Sequence, residues 1–260
     1  LSTKEPLVYL NGTGRIAEEF LRLRHRMIPF LYSASYQTAK YGRALMEPMY
    51  YEYPEEKDAY RCQNQYLFGG QLLVAPITKH GDRKGMTATK VWLPKGAWTD
   101  IFTGDEYEGP KWIEAVRWTE SIPVFAKEGG FFVLDGREHT NCIDNPEMLV
   151  VQSYFGDGEY DLFEDDGNKY SCHTVFTSSA ATVGDARQQT VTIRSSGDDG
   201  VAPAQRTIQL EFRNIMDGEV TVTEDGTPID CKIEKDGFLS VIIPTQFGKQ
   251  YAVVAVEKAY

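Results

Sequence analysis

Apolar residues recur every three or four positions between Thr13 and Tyr41, and this spacing is the period of an amphipathic α-helix. Gly42 follows at the place of a helix C-cap, and Pro29 lies inside the run. Proline removes a backbone donor and crowds the preceding turn, so we expect a kink at Pro29 or two helices that meet there. The rest of the chain shows no other helical signal of this strength.

Beyond the helix, the pattern is typical of β-structure. Residues 69–78 hold a continuous apolar stretch of strand length, which indicates a strand buried on both faces. Short strand candidates separated by Gly and Pro turns continue to about Asp135, and the polar segment Gly136–Pro146 predicts a boundary. After it come eight short strands, many of which alternate apolar and polar residues, and this pattern predicts a β-sandwich.

These patterns together predict a mainly β fold. It has two antiparallel β-sandwich-type domains, preceded by a helical segment. The predicted units are residues 1–70, which include the helix over 13–41, then residues 71–135, and finally residues 136–260.

The charge of the chain excludes some classes of partner. Lys and Arg number 27 against 38 Asp and Glu, so the formal net charge is −11. The first 135 residues hold 17 basic and 17 acidic side chains, so the whole excess lies in residues 136–260. Nucleic acids and anionic membranes require clustered basic residues, and we expect neither as a partner. No apolar run approaches the ~18–20 residues of a membrane span.

The four cysteines, Cys62, Cys142, Cys172 and Cys231, are far apart in the sequence. No C-x-x-C pair and no histidine at ligand spacing accompanies them, so we predict no zinc site. Free thiols in a reducing compartment are the favoured interpretation, and we expect a cytoplasmic protein. Neither a cofactor nor a metal is predicted.

Two groups of residues could carry chemistry. The first comprises four tryptophans that could stack on sugar rings, although packing in a small β-domain is favoured; they are Trp92, Trp98, Trp112 and Trp118. The second is the acidic segment Asp157–Asp166, whose carboxylates could hold Ca²⁺ or act as acid and base on a sugar. Its spacing does not match an EF-hand loop, so a structural turn is favoured. The histidines have no sequence partners, and we expect structural or exposed positions for them.

Six ordered segments resemble motifs of glycoside hydrolase family 31, the α-glucosidases and α-xylosidases. Ala44 and Glu47 depart from the family pattern, which usually has Pro and Arg there. The segments are RLRHRMIPFLY at 22–32, GRALMEPMYYEYP at 42–54, QYLFGGQLLVAPI at 65–77, LPKGAWTD with TG at 93–104, IPVFAKEGG at 122–130 and GEYDLFEDDG at 158–167.

This resemblance implies a position within a longer protein. Residues 1–70 would be the end of a (β/α)₈ catalytic barrel, followed by proximal and distal C-terminal β-domains. The family's two catalytic carboxylates lie upstream of the long helix, so none can be assigned to a residue of this chain. The parent would hydrolyse α-linked glucosides or xylosides with retention, with a carbohydrate as its partner, and this segment by itself would be inactive. The residues that would choose glucoside over xyloside also lie upstream.

Two other functions stay open at this point. The chain could be a non-catalytic carbohydrate-binding module that uses the tryptophans. It could also be a structural module that forms a homo-oligomer, because the apolar face of helix 13–41 normally packs on a barrel and needs a substitute here.

Overall fold

The helical segment folds as two helices. The structure is a computed structural model that describes residues 12–82, 85–137 and 143–257. Helix α1 spans Thr13–Arg26, helix α2 spans Ile28–Tyr41, and Met27 separates them. Pro29 lies in the first turn of α2, where its missing N–H breaks no helical hydrogen bond. The predicted junction of two helices at Pro29 is confirmed.

The first β unit is one six-stranded antiparallel sheet. A one-turn helix, α3 (Met49–Glu52), and a 3₁₀ turn, Lys57–Arg61, lie between its first two strands. In spatial order the strands are β1 (Met46–Pro48), β2 (Tyr66–Phe68), β3 (Leu72–Val74), β6 (Val124–Lys127), β4 (Thr87–Asp100) and β5 (Glu106–Arg117).

Strands β3 and β6 separate two hydrophobic cores. Successive side chains of a strand point to opposite faces of its sheet. One face of these strands joins the core of the whole molecule through Leu72, Val74, Val124 and Ala126. The other face joins a smaller core around Trp92 through Leu73 and Phe125. The predicted burial of this apolar run on both faces is confirmed.

The remaining strands form two further sheets. One has six antiparallel strands in the order β14 (Thr227–Ile229), β13 (Gly218–Glu224), β17 (Gln250–Glu257), β11 (Ala186–Gly197), β10 (Ser171–Val183) and β9 (Gly158–Asp165). The other has five in the order β15 (Lys232–Lys235), β16 (Leu239–Gln246), β12 (Gln205–Phe212), β8 (Met148–Ser153) and β7 (Phe131–Asp135). Strands β8 and β12 are parallel, which the sequence did not predict.

These two sheets bury their facing side chains in one core. Val191 and Val253 reach it from the six-stranded sheet, while Leu210 and Val241 reach it from the five-stranded sheet, and all four are fully buried. The pair of sheets is the predicted β-sandwich, and the chain is mainly β with N-terminal helices, as predicted.

The sheets do not follow the predicted unit boundaries at two places. Strands β1 and β2 lie within residues 1–70 but belong to the first sheet. Strand β7 lies within residues 71–135 but pairs with β8 in the sandwich. The chain therefore enters the sandwich at Gly130, before the polar segment that marked the boundary in the sequence. The division into three domains stays a prediction.

Helix α2 joins both β units. The Phe30 ring stacks on Phe68 of β2 in the first sheet at 5.8 Å between centroids. In the sandwich it stacks on Tyr160 at 5.9 Å and meets the edge of Phe132 at 5.3 Å. The Ser33 hydroxyl donates to the Pro29 carbonyl oxygen and accepts the Phe163 N–H at 3.0 Å. These contacts fix the helix on strands β7 and β9.

Loops of the first sheet and the sandwich meet backbone to backbone. A Cβ atom on Gly129 would overlap the Asp157 carbonyl oxygen, and one on Gly158 would overlap the Gly129 oxygen. Gly129 also has a φ of +65°, a conformation that side chains disfavour. These glycines thus allow backbone atoms of the two units to come into contact. We call the residues at this contact the glycine junction (Gly129, Gly156 and Gly158).

Candidate functional site

The four candidate tryptophans divide into two buried and two exposed residues. Trp92 and Trp98 are 2% and 3% exposed, and the Trp98 indole N–H donates to the Pro94 carbonyl oxygen at 2.9 Å. Both rings belong to the smaller core, where a sugar cannot reach them. Trp112 and Trp118 are 41% and 52% exposed. Sugar stacking therefore stays a prediction for these two residues.

The carboxylates of the acidic segment are held by protein groups. Asp161 pairs with His173 Nδ1 at 2.8 Å, and Asp165 accepts the Tyr32 hydroxyl at 2.6 Å. Asp166 closes a turn by accepting the backbone N–H groups of residues 168–170, and these bonds lower its pKa. This arrangement supports a structural turn. Within the described ranges, no three His, Cys, Asp or Glu residues are grouped as metal ligands.

Each buried carboxylate of the described chain is paired with an arginine. The pairs are Glu47 with Arg43, Asp100 with Arg117, Asp135 with Arg137, Glu164 with Arg206, and Glu211 with Arg213. Retaining glycosidases use two carboxyl groups that face each other across a cavity. The arginine pairs instead neutralise the buried charges, which is a structural role.

Glu211 is the buried carboxyl with a raised pKa. Burial is the main cause, and it outweighs the opposing effects of Arg213 and of a hydrogen bond from Gln152. The residue lies on β12 between Gln152 of β8 and Ser240 of β16. Its carboxylate is fully engaged by neighbouring side chains, so it has no position open to a substrate.

The histidines occupy three different environments. His173 pairs with Asp161 and lies against the Phe163 ring, His80 is exposed, and His25 Nε2 is buried without a hydrogen-bond partner in the part of the chain described. His139 lies outside the described residues.

The departure from the family pattern at Glu47 has a local explanation. The Glu47 carboxylate accepts the Ala44 N–H and pairs with Arg43, which also binds Glu52 at 2.7 Å. An arginine at position 47 would place two guanidinium groups together. The sequence marked the departure but did not reveal Arg43 as its partner.

Three tyrosines and one methionine are exposed in and beside strand β1, and we call this surface the aromatic face (Met46, Tyr50, Tyr51 and Tyr60). Their exposed fractions range from 41% to 64%, and Tyr50 stacks on Tyr60 at 5.2 Å. Helix α1 also has no buried residue, although its apolar residues follow a helical period. Clustered exposed apolar groups mark surfaces that bind other molecules.

A cleft of about 400 Å³ lies between the 3₁₀ turn and the β4–β5 hairpin. We call it the amide cleft, and its wall residues include Gln63, Asn64, Thr78, Lys90, Trp112 and Glu114. It brings one predicted tryptophan next to two amide side chains that sequence reasoning did not select. No sequence signal distinguishes these amides from ordinary surface residues.

Among the described residues, no helix has both the length and the apolar character needed to cross a membrane.

Comparison with known proteins identifies the region to which the chain belongs. Residues 42–131 match the glycosyl hydrolase family 31 C-terminal domain. The chain is 29% identical over 170 residues to α-glucosidase 2 of Bacillus thermoamyloliquefaciens, which covers 65% of this chain and 21% of that protein. It is 27% identical over 169 residues to the α-xylosidase of Saccharolobus solfataricus, covering 64% of this chain and 23% of that protein.

Solved structures share the fold. A dextranase of Flavobacterium johnsoniae superposes with a TM-score of 0.83 at 21% identity, covering 97% of this chain and 34% of the dextranase. An α-xylosidase of Xanthomonas citri superposes with a TM-score of 0.73 at 25% identity, covering 94% of this chain and 25% of the enzyme.

Residues 42–131 therefore match the C-terminal domain of glycosyl hydrolase family 31, the family that the six sequence segments resemble. The chain as a whole is similar to parts of α-glucosidases and α-xylosidases. It spans about a fifth of the length of the two curated relatives.

Proposed function

We propose that this chain is the C-terminal portion of a retaining α-glycosidase that hydrolyses α-linked glucosides or xylosides. The observation that carries the proposal is its similarity to an α-glucosidase and an α-xylosidase over about two thirds of its length. A carbohydrate is the proposed substrate of the longer enzyme. The relatives include both specificities, so the proposal covers both.

The chain's role in that enzyme is to support the catalytic part. The arginine-paired carboxylates supply no free acid and base of their own. Helix α1 offers exposed apolar groups such as Leu21 that a further domain would cover. Helix α2, held between the two β units, would then transmit the position of the β units to that domain.

The test compares hydrolysis of p-nitrophenyl α-glucoside and α-xyloside by two proteins. The 260-residue chain should show no turnover above the uncatalysed rate. A longer protein that includes the coding sequence upstream of Leu1 should hydrolyse at least one substrate with retention, as proton NMR of the first-formed anomer reports. Turnover by the 260-residue chain alone would contradict the assignment of catalysis to an upstream part.

A second candidate function is a structural module that self-associates. The unburied helix α1 favours it, because a second copy of the chain could cover the helix. Sedimentation at increasing concentrations should then show a dimer, and replacement of exposed Leu21 by Glu should abolish it. A monomer at every concentration would exclude this function.

We propose a cytoplasmic location on the basis of the thiols. Cys62, Cys172 and Cys231 are free, and burial raises the pKa of Cys62 and Cys172 to about 11. Thiols that stay protonated react slowly and suit a reducing compartment. Cys142 lies outside the described residues. Cell fractionation with an antibody against the chain tests this location.

A further inference from the structure

The amide cleft has a rigid wall on one side. The buried Gln65 side chain donates to the Trp92 carbonyl oxygen at 2.8 Å and accepts the Trp92 N–H at 2.9 Å. This pair of bonds ties the segment before β2 to strand β4. The Cys62 thiol adds a contact to the Asp58 carbonyl oxygen at 3.1 Å. The wall is therefore set before any ligand arrives, which lowers the entropy cost of binding.

The opposite wall presents an aromatic ring. Trp112 stands directly opposite Trp92 in the β4–β5 pair, but Trp92 is buried while 41% of Trp112 is exposed. The Trp112 indole thus borders the cleft at the edge of the sheet. An exposed ring of this size offers a flat apolar surface to a ligand that has one apolar face of its own.

Two amides provide hydrogen-bonding groups beside that ring. The side chains of Gln63 and Asn64 are exposed, and neither forms a hydrogen bond to another described residue. Each amide carries one acceptor and two donors. A hydroxyl group is both donor and acceptor, so amides can bind a row of ligand hydroxyls.

Most charges around the cleft are balanced in pairs, and Lys79 on its wall leaves about one net positive charge. Lys90 and Glu114 stand directly opposite each other on β4 and β5, and Arg61 pairs with Asp58 at 3.1 Å. A strongly anionic or cationic ligand would find little net field here. The cleft therefore fits a neutral ligand with hydroxyl groups and an apolar face, which describes a pyranose sugar.

We propose that the amide cleft binds a neutral α-linked glucan, with Trp112 under one sugar ring and Gln63 and Asn64 bound to its hydroxyls. The α-linkage rests on the proposed function of the longer enzyme. The site lies on the first β unit and needs no catalytic residue. A second cavity of about 490 Å³ shares Gln63 and Asn64 and continues toward Tyr50, so the surface accommodates more than one sugar ring.

The test is calorimetric titration of the 260-residue chain with maltotetraose and isomaltotetraose, each to about 10 mM. At least one should bind in the millimolar range or tighter. Trp112→Ala should weaken that binding about tenfold, since stacking on one aromatic ring is worth up to about that factor. The double variant Gln63→Ala, Asn64→Ala should also weaken it. Tyr170→Ala is the control, because Tyr170 is an exposed aromatic residue that lies outside the cleft.

The proposal is overturned if neither sugar binds, or if binding is unchanged in both cleft variants. Equal loss in Trp112→Ala and Tyr170→Ala would also overturn it. Unfolding curves of each variant show whether a loss comes from misfolding, and the amide variant keeps the test valid if Trp112→Ala is unstable. Binding without hydrolysis by a longer protein would contradict the proposed enzyme but leave this site standing.

Discussion

Single glycines decide how closely the two β units approach each other. At Gly129, Gly156 and Gly158 an added Cβ would meet backbone atoms, which cannot move aside as a flexible side chain can. The Gly156 φ is +141° and the Gly129 φ is +65°. At Gly129 and Gly156, the lack of space for a Cβ atom and the positive φ both require glycine. At Gly158, the lack of space requires it.

Gly129→Ala should lower the free energy of unfolding by about 3 kcal/mol or more. The added methyl group overlaps the Asp157 carbonyl and also holds φ in a strained region. Gly104→Ala is the control, because Gly104 has a φ of +79° but open space around its Cβ position. It should cost about 1–2 kcal/mol, the strain alone. Urea unfolding followed by circular dichroism measures both, and equal losses would argue against the overlap.

At the residue scale, the sequence identified the glycines as motif members but not their purpose. The contact partners of Gly129 lie almost thirty positions away, at Asp157 and Gly158. Likewise, the alternation of apolar and polar residues in a strand does not show which part of a sheet face other residues cover. Trp92 and Trp112 stand opposite each other in register, yet one is buried and one is exposed. Tyr53 packs against Trp92 and helps to bury it, and the sequence around Trp92 does not predict this contact.

The two N-terminal helices differ in how they are stabilised. Each has 14 residues, but α1 buries none of them while α2 buries Pro29, Phe30 and Ser33. Helix α1 depends on local ion pairs such as Arg15 with Glu19 at 2.5 Å and Arg22 with Glu18 at 2.6 Å. Such pairs contribute only about 0.2–0.5 kcal/mol each.

Amide hydrogen exchange should therefore be faster in α1 than in α2. Local opening of α1 exposes only partly buried apolar groups such as Leu23, whereas opening of α2 removes the fully buried Phe30 from the Tyr160 and Phe132 rings. We expect protection in α1 to be at least about tenfold lower. Exchange followed by mass spectrometry on the dilute chain measures it, and α2 is a control of equal length. Equal protection would show that something covers α1.

At the element scale, helices and strands followed from periodicity, but strand partners did not. The alternation in Thr207–Phe212 predicted a strand, and β12 (Gln205–Phe212) contains that range. Its parallel pairing with β8 joins residues about sixty positions apart. Strand β7 likewise precedes the predicted boundary but pairs with β8 beyond it. Pairing is decided by long-range packing, and local sequence carries little of that information.

An ion pair between Arg187 and Glu106 connects the sandwich to the first sheet. Arg187 of β11 donates to both carboxylate oxygens of Glu106 on β5, at 2.6 and 2.7 Å, and also to the Asn214 carbonyl oxygen. Burial alone would raise the pKa of Glu106, but the hydrogen bonds from Arg187 and Asn214 outweigh it and lower the pKa. Asn214 further binds Thr99 and the Phe155 N–H.

A double-mutant cycle on Arg187→Ala and Glu106→Ala should give a coupling free energy of about 1 kcal/mol at neutral pH. Because the folded pKa of Glu106 is lowered, the stabilisation is present above the unfolded pKa of ~4.3 and is lost as pH falls through the folded pKa. The exposed pair Arg15 and Glu19 is the control and should couple by about 0.3 kcal/mol. Urea unfolding at several pH values measures the cycles. Coupling that grows toward acid pH would contradict this sign.

At the scale of the molecule, sequence segments predicted the family region and the mainly β fold, while the candidate site came mostly from the structure. Trp112 was one of four predicted tryptophans, and only the fold separated it from the buried ones. Gln63 and Asn64 carry no motif. They become notable because Gln65 fixes their segment against strand β4.

The glycine junction also has a consequence for exchanging parts between proteins. In its closest contacts, backbone atoms of one unit lie where the glycines of the other unit have no side chain. These contacts therefore do not depend on complementary side-chain shapes. A sandwich from another protein of this region should therefore replace this one if it keeps the junction glycines, an arginine opposite Glu106, and the aromatic partners of Phe30. We expect such hybrid proteins to fold without redesign of the loops. The two parts should be joined between Gly129 and Gly130.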